Sequence, residues 1–64
     1  MGNPDDAAKQ FARVLALNPR HAEAHYNLGL LQKESGQANA ANQHFARALE
    51  INPDFEEARR NLVY

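Results

Sequence analysis

Two Asn-Pro pairs, Asn18-Pro19 and Asn52-Pro53, lie 34 residues apart in a chain of 64, and this interval constrains the fold more than any other feature. Laid on itself at that offset, the sequence pairs residues 1–30 with 35–64 without a gap. Twelve of the thirty pairs are identical: Gly2/Gly36, Ala7/Ala41, Phe11/Phe45, Ala12/Ala46, Arg13/Arg47, Leu15/Leu49, Asn18/Asn52, Pro19/Pro53, Glu23/Glu57, Ala24/Ala58, Asn27/Asn61 and Leu28/Leu62. Shared helical composition does not put glycines, prolines and phenylalanines into one register. A period of this length marks a supersecondary unit that recurs, and a unit too small to bury its own apolar face stacks on a copy of itself.

The unit reads as two helices. β-Branched residues are confined to Val14, Ile51 and Val63, alanine is abundant, and prolines and glycines stand at spaced breaks. Asn3-Pro4-Asp5-Asp6 offers a cap, a proline suited to the first helical position and two acids at the positive helix end. A first helix is predicted from about Pro4 to Leu17, with Ala7, Phe11, Val14 and Leu15 on its apolar stripe. Asn18-Pro19 stops it, because the residue before proline is pushed out of the helical region. A second helix carries Ala24, Leu28 and Leu31 and ends at Ser35-Gly36, where glycine takes the left-handed cap. A third spans Ala38 to Ile51 with Ala41, Phe45, Ala48 and Leu49, interrupted by Asn42 on a face read as solvated. The fourth is expected to open with Asp54 as cap and Glu57 completing a capping box, placing Phe55, Ala58 and Leu62 together. Connections of a few residues make successive helices antiparallel neighbours, so the fold class is all-α.

Composition removes several classes of function. With no cysteine there is no disulfide framework and no thiolate metal site. Seven Lys and Arg against eight Asp and Glu give a net charge of −1, and the basic residues never cluster beyond Arg59-Arg60, which argues against a nucleic-acid partner. No apolar run approaches the ~20 residues of a membrane span, and the start of the chain does not read as a signal segment, so a soluble chain is expected, with the cytoplasm as default.

His21 and His25, four apart around Glu23, invite comparison with a zinc-protease helix. That chemistry needs the acid directly after the first histidine, whereas Glu23 is two residues from each and points roughly 200° from His21. No third ligand is evident. We expect no metal and no cofactor, with His25 filling a slot for a bulky side chain between helices and His21 in the loop. Catalytic residues are not expected either: Ser35 is the only serine and sits at a helix end, and Glu56 and Glu57 are adjacent and so diverge.

On these residues the chain resembles the tetratricopeptide repeat family. Leu28-Gly29, Ala41-x-x-x-Phe45, Ala48 and Pro53 stand at the family's spacing; His25 stands where the family usually has Trp, and Gln32 where it usually has Tyr. The resemblance implies helical hairpins stacked as a right-handed α-solenoid, with residues 3–21 as the second helix of a partial repeat, 22–55 as a complete repeat and 56–64 as the first helix of a partial repeat. It implies a non-catalytic scaffold that binds a protein or peptide partner. First helices of such arrays line a concave surface, which makes Glu23, Tyr26, Leu30 and Lys33, with Glu57, Arg60 and Tyr64, the expected peptide-binding residues. Some relatives grip a C-terminal carboxylate with a Lys and Asn clamp on these turns; here Tyr26 and Leu30 occupy the corresponding places, which argues against that ligand.

The order second, first, second, first leaves the outer helices without hairpin mates and exposes Phe11, Leu15, Phe55, Leu62 and Val63. Two explanations stand side by side: the chain is an excerpt of a longer array with no ligand of its own, or copies complete each other as a homo-oligomer through those residues. RNA binding by helical repeats is a weaker alternative, because the recurrent stripe is mixed in charge.

Overall fold

The structure, a computed structural model, describes residues 4–62, with side chains placed from Asp6 onward. Four α-helices occur among them, α1 (Pro4–Leu17), α2 (Ala22–Glu34), α3 (Ala38–Ile51) and α4 (Glu56–Asn61). The first and third have the predicted boundaries. Asn3, the expected cap of α1, lies outside the described residues. Each helix packs on the next in sequence, and the α2–α3 hairpin has the most extensive contact.

The period seen in the sequence is also a period of hydrogen bonds. At both Asn-Pro turns the asparagine N–H donates to the carbonyl four residues back, Asn18 to Val14 and Asn52 to Ala48, each at 2.8 Å. The asparagine side-chain Oδ1 then accepts the N–H two residues on, from Arg20 and from Asp54, both at 3.2 Å. The asparagine carbonyl accepts from His21 at 3.1 Å and from Phe55 at 3.0 Å. Asparagine suits this position because its side-chain oxygen closes the turn that proline opens.

This turn overrides the expected start of α4. The N-cap is Phe55 and not Asp54, and no side chain caps the helix. Asp54 is held inside the turn by Asn52, one residue too early for a capping box with Glu57. At the equivalent position of the first turn, His21 is the N-cap of α2, and its Nδ1 accepts the Ala24 N–H at 3.0 Å. The loop expected for His21 thus has a capping function that its position alone did not reveal. A phenylalanine ring has no acceptor to offer, so α4 starts without this bond.

Between α2 and α3 the reversal is made by Gly36 at φ 79°. Gln37 N–H donates to Gln32 O at 2.8 Å and Gly36 N–H to Lys33 O at 3.1 Å, the paired bonds of a left-handed C-terminal cap.

The core is small: Ala24, Leu28, Ala41, Phe45, Ala48 and Ala58 are buried, and Phe45 is wholly inaccessible. Burying one phenylalanine contributes on the order of 2–3 kcal/mol. Space for it comes from Gly29, where a Cβ would lie 2.6 Å from Phe45 Cε1. Gly29 of α2 and Phe45 of α3 therefore meet, with small residues letting the backbones approach. Phe11, the counterpart of Phe45, is half-buried, as are Val14 and Leu15, while Leu17 is 89% exposed. Asn42 is half-buried rather than fully solvated.

Candidate functional site

Tyr26 joins the core to the surface. It lies on α2 three residues after Glu23 and four before Leu30, so that one helical face carries all three together with Lys33. Its ring packs between Phe45, at a centroid distance of 5.8 Å, and Phe55, at 5.0 Å. Phe55, expected among the self-association residues, thereby enters this face. Both contacts are tilted, the arrangement that aromatic quadrupoles favour.

Asn61 ties α4 to α2 here. Its Nδ2 donates to Glu57 O at 2.9 Å and to the Tyr26 hydroxyl at 3.5 Å, while its Oδ1 accepts from Lys33 Nζ at 3.0 Å. Neither Asn61 nor Asn27 was among the expected binding residues; their identity at the 34-residue offset was the available signal. Between the two helices lies a cavity of about 210 Å³ lined by Glu23, Tyr26, Asn27, Phe55 and Glu57. It adjoins a larger, more polar one of about 560 Å³ that shares Glu23, Phe55 and Glu57 and reaches Arg20 and Asp54.

Of the seven expected peptide-binding residues, the fold brings Glu23, Tyr26 and Glu57 to one cavity, while Lys33 bonds to Asn61 of α4. Leu30 is half-buried on the same face of α2. Arg60 instead pairs with Glu56 along its own helix at 3.5 Å, with both side chains largely exposed. Tyr64 and Val63 lie outside the described residues. Among those residues no group of three or more His, Cys, Asp or Glu could hold a metal ion, and no helix is long and apolar enough to cross a membrane.

A family model described as tetratricopeptide repeat matches residues 1–54. The chain belongs to this family. Comparison with curated proteins gave no match. Domains of this family mediate protein–protein contacts and are typically non-catalytic.

Within this tetratricopeptide repeat, the two residues that depart from the family pattern are joined by a third. His44 of α3 stacks on His25 with ring centroids 5.6 Å apart and a 31° tilt, and its Nδ1 lies 2.8 Å from Gln32 Oε1. An amide oxygen only accepts, so Nδ1 carries the hydrogen. His25 Nε2 lies 3.1 Å from Pro19 O and must likewise donate, while His25 Nδ1 is buried without a hydrogen-bond partner among the described residues. In the next unit Arg59, 34 residues on, donates in the same way to Pro53 O at 2.6 Å. A polar trio thus fills the space that large aromatics would take.

Burial is the main force holding the His44 pKa below 6.5, helped by the charges of His25 and Arg47 and opposed by a hydrogen bond to the Ala40 backbone. The folded state therefore binds this proton less readily than the unfolded chain. The resulting stability is full above about pH 6.5 and is lost as pH falls from there through the lower folded value. We expect the melting temperature to drop between pH 7.5 and 5.5, and a smaller drop in His44→Gln. An equal drop in both proteins would assign the acid sensitivity elsewhere.

Proposed function

We propose that this chain is a non-catalytic protein-interaction module that holds an extended peptide or helix on the face shared by α2 and α4, with residues 22–55 as its complete repeat. The observation that carries this reading is the open cavity over the Tyr26–Phe55 pair, which sets two half-buried rings among polar groups at a junction of two repeats. Rigid aromatic surface beside hydrogen-bonding groups is what binding hot spots are made of. Glu23, Tyr26, Leu30, Lys33 and Glu57 are the contact residues we assign to it, with Arg60 and Tyr64 at its margin.

The test is selection of binders from a random peptide library, followed by mapping of backbone amide shifts. Shifts should concentrate at Tyr26, Leu30, Lys33 and Glu57, and Leu30→Ala with Tyr26→Ala should weaken binding about tenfold or more at unchanged helicity. Peptides that perturb only other surfaces would remove the proposal.

A second reading is self-association through Phe11 and Leu15 of α1 with Phe55, Leu62 and Val63. It is favoured by the half-exposed stripe of α1, where Leu15 lines a cavity of about 380 Å³ together with Pro19 and Ile51. Such a contact is not a copy of the α2–α3 hairpin. Val63 stands where the period puts Gly29, and a Cβ there meets the phenylalanine ring that Phe11 would supply. The copies would have to meet in a shifted register. Light scattering at about 0.1 mM should report a mass above the monomer; a strictly monomeric, cooperatively folded chain removes this reading.

A further inference from the structure

The cavity between α2 and α4 is lined by two aromatic rings, Tyr26 and Phe55, by Asn27 and by two carboxylates, Glu23 and Glu57. Glu23 and Glu57 occupy the same position of successive units, so the repeat sets one carboxylate on each helix, and both line the cavity that the Tyr26 and Phe55 rings line. Both glutamates are exposed, and neither side-chain carboxylate has a hydrogen bond or ion pair among the described residues. The cations of this face are committed elsewhere: Lys33 to Asn61, Arg60 to Glu56 and Arg59 to Pro53 O. Arg20 lies on the rim of the larger adjoining cavity, where it faces Glu23, Glu57 and Asp54. The negative charge is thus left incompletely balanced over two aromatic rings.

Resting on the reading that this face binds a peptide, we propose that its ligand is a protein segment carrying a Lys or Arg side chain, whose cation sits between Glu23 and Glu57 and whose aliphatic stem lies on Tyr26 and Phe55. The chemistry fits at each level. A volume of about 210 Å³ admits one long side chain but not a folded element. The faces of aromatic rings attract a cation within ~6 Å of the centroid. Two carboxylates from different helices give a cation two anionic partners without needing either to move far, and opposed charges steer association. An acidic segment would meet like charge at both glutamates, and an apolar side chain alone would leave that charge uncompensated.

The experiment uses the intact chain and a fluorescent nine-residue peptide, Ala and Leu throughout except for a central Lys, with Arg, norleucine and Glu at the centre as comparisons. Norleucine keeps the stem and removes the charge. Lys and Arg peptides should bind about tenfold more tightly than norleucine and lose affinity with added salt, and the Glu peptide should bind weakest. The double variant Glu23→Gln with Glu57→Gln should erase the preference for Lys over norleucine at unchanged helicity. Equal affinity for Lys and norleucine peptides, or a Lys preference that survives both substitutions, overturns the proposal and leaves the binding face standing. Failure of every peptide to shift the amides of Tyr26 and Leu30 overturns both.

Discussion

Truncating Phe45 to alanine should leave much of the chain unfolded at 25 °C. The ring is wholly buried, and it packs on α2 at two places, over Gly29 and against the ring of Tyr26. Large-to-small changes of this kind cost about 3–5 kcal/mol, because the lost transfer energy is joined by the cavity left behind. A domain of this size commands roughly 3–10 kcal/mol in total. No neighbouring side chain is free to collapse into the space: Ala41 and Ala48 are already at their smallest, and Tyr26 is held by Phe55 and Asn61. Phe11→Ala is the control. It removes the same atoms at the equivalent position of the repeat, but from a half-buried site, and should cost about half as much or less. Urea titration followed by helical circular dichroism measures both. Equal losses for the two variants would mean that burial in the hairpin is not what makes Phe45 dominant.

The second large effect is at Gly29. A Cβ built there lies 2.6 Å from Phe45 Cε1 and 2.8 Å from Cδ1, a separation that real Cβ atoms do not adopt. Two effects oppose each other in Gly29→Ala: a gain of about 1 kcal/mol in helix propensity, and the cost of pushing the ring. In Gly29→Leu the steric term wins, since the added atoms must displace a ring that is already pinned by Tyr26. We expect a loss of about 3 kcal/mol or more, at the upper end of overpacking. The mechanism makes a sharper claim than the size of the loss. Combining Gly29→Leu with Phe45→Ala returns the volume, so the double variant should be more stable than the sum of the single losses. Strict additivity would show that Gly29 and Phe45 do not share the same space.

These two predictions use residues that could be named from the sequence. Leu28-Gly29, Ala41 and Phe45 could be placed at one interface because their spacing fits two helical stripes that face each other, and small residues opposite a large one have a single packing solution. The proposed binding face is legible in part. Glu23, Tyr26, Leu30 and Lys33 fall on one stripe of a 3.6-residue helix, so periodicity alone groups them. What periodicity does not supply is how a neighbouring helix closes on that stripe. Asn61 bridging to Lys33 and Tyr26, and Phe55 turning to Tyr26 rather than outward, depend on how α4 lies across α2.

The cap of α4 failed for a local reason of the same kind. Asp54 and Glu57 have the right letters and spacing, but Asn52 claims the Asp54 N–H first and carries the helix start one residue along. Two candidate partners competed for one turn, and the nearer, already organised by Pro53, prevailed. His44 has no signal in the sequence because its significance is purely tertiary: it matters only where α3 brings it against His25 and Gln32.

The sequence by itself determined that the chain is a helical repeat, where α1 and α3 begin and end and which small and large residues form the core, because period, proline and apolar spacing act through the local backbone and need no distant contact. The tertiary structure alone decided which polar groups meet. Hydrogen bonds and ring contacts require separations of a few ångströms between residues 12 to 35 positions apart, and those separations are set by how helices cross rather than by the order of residues along them.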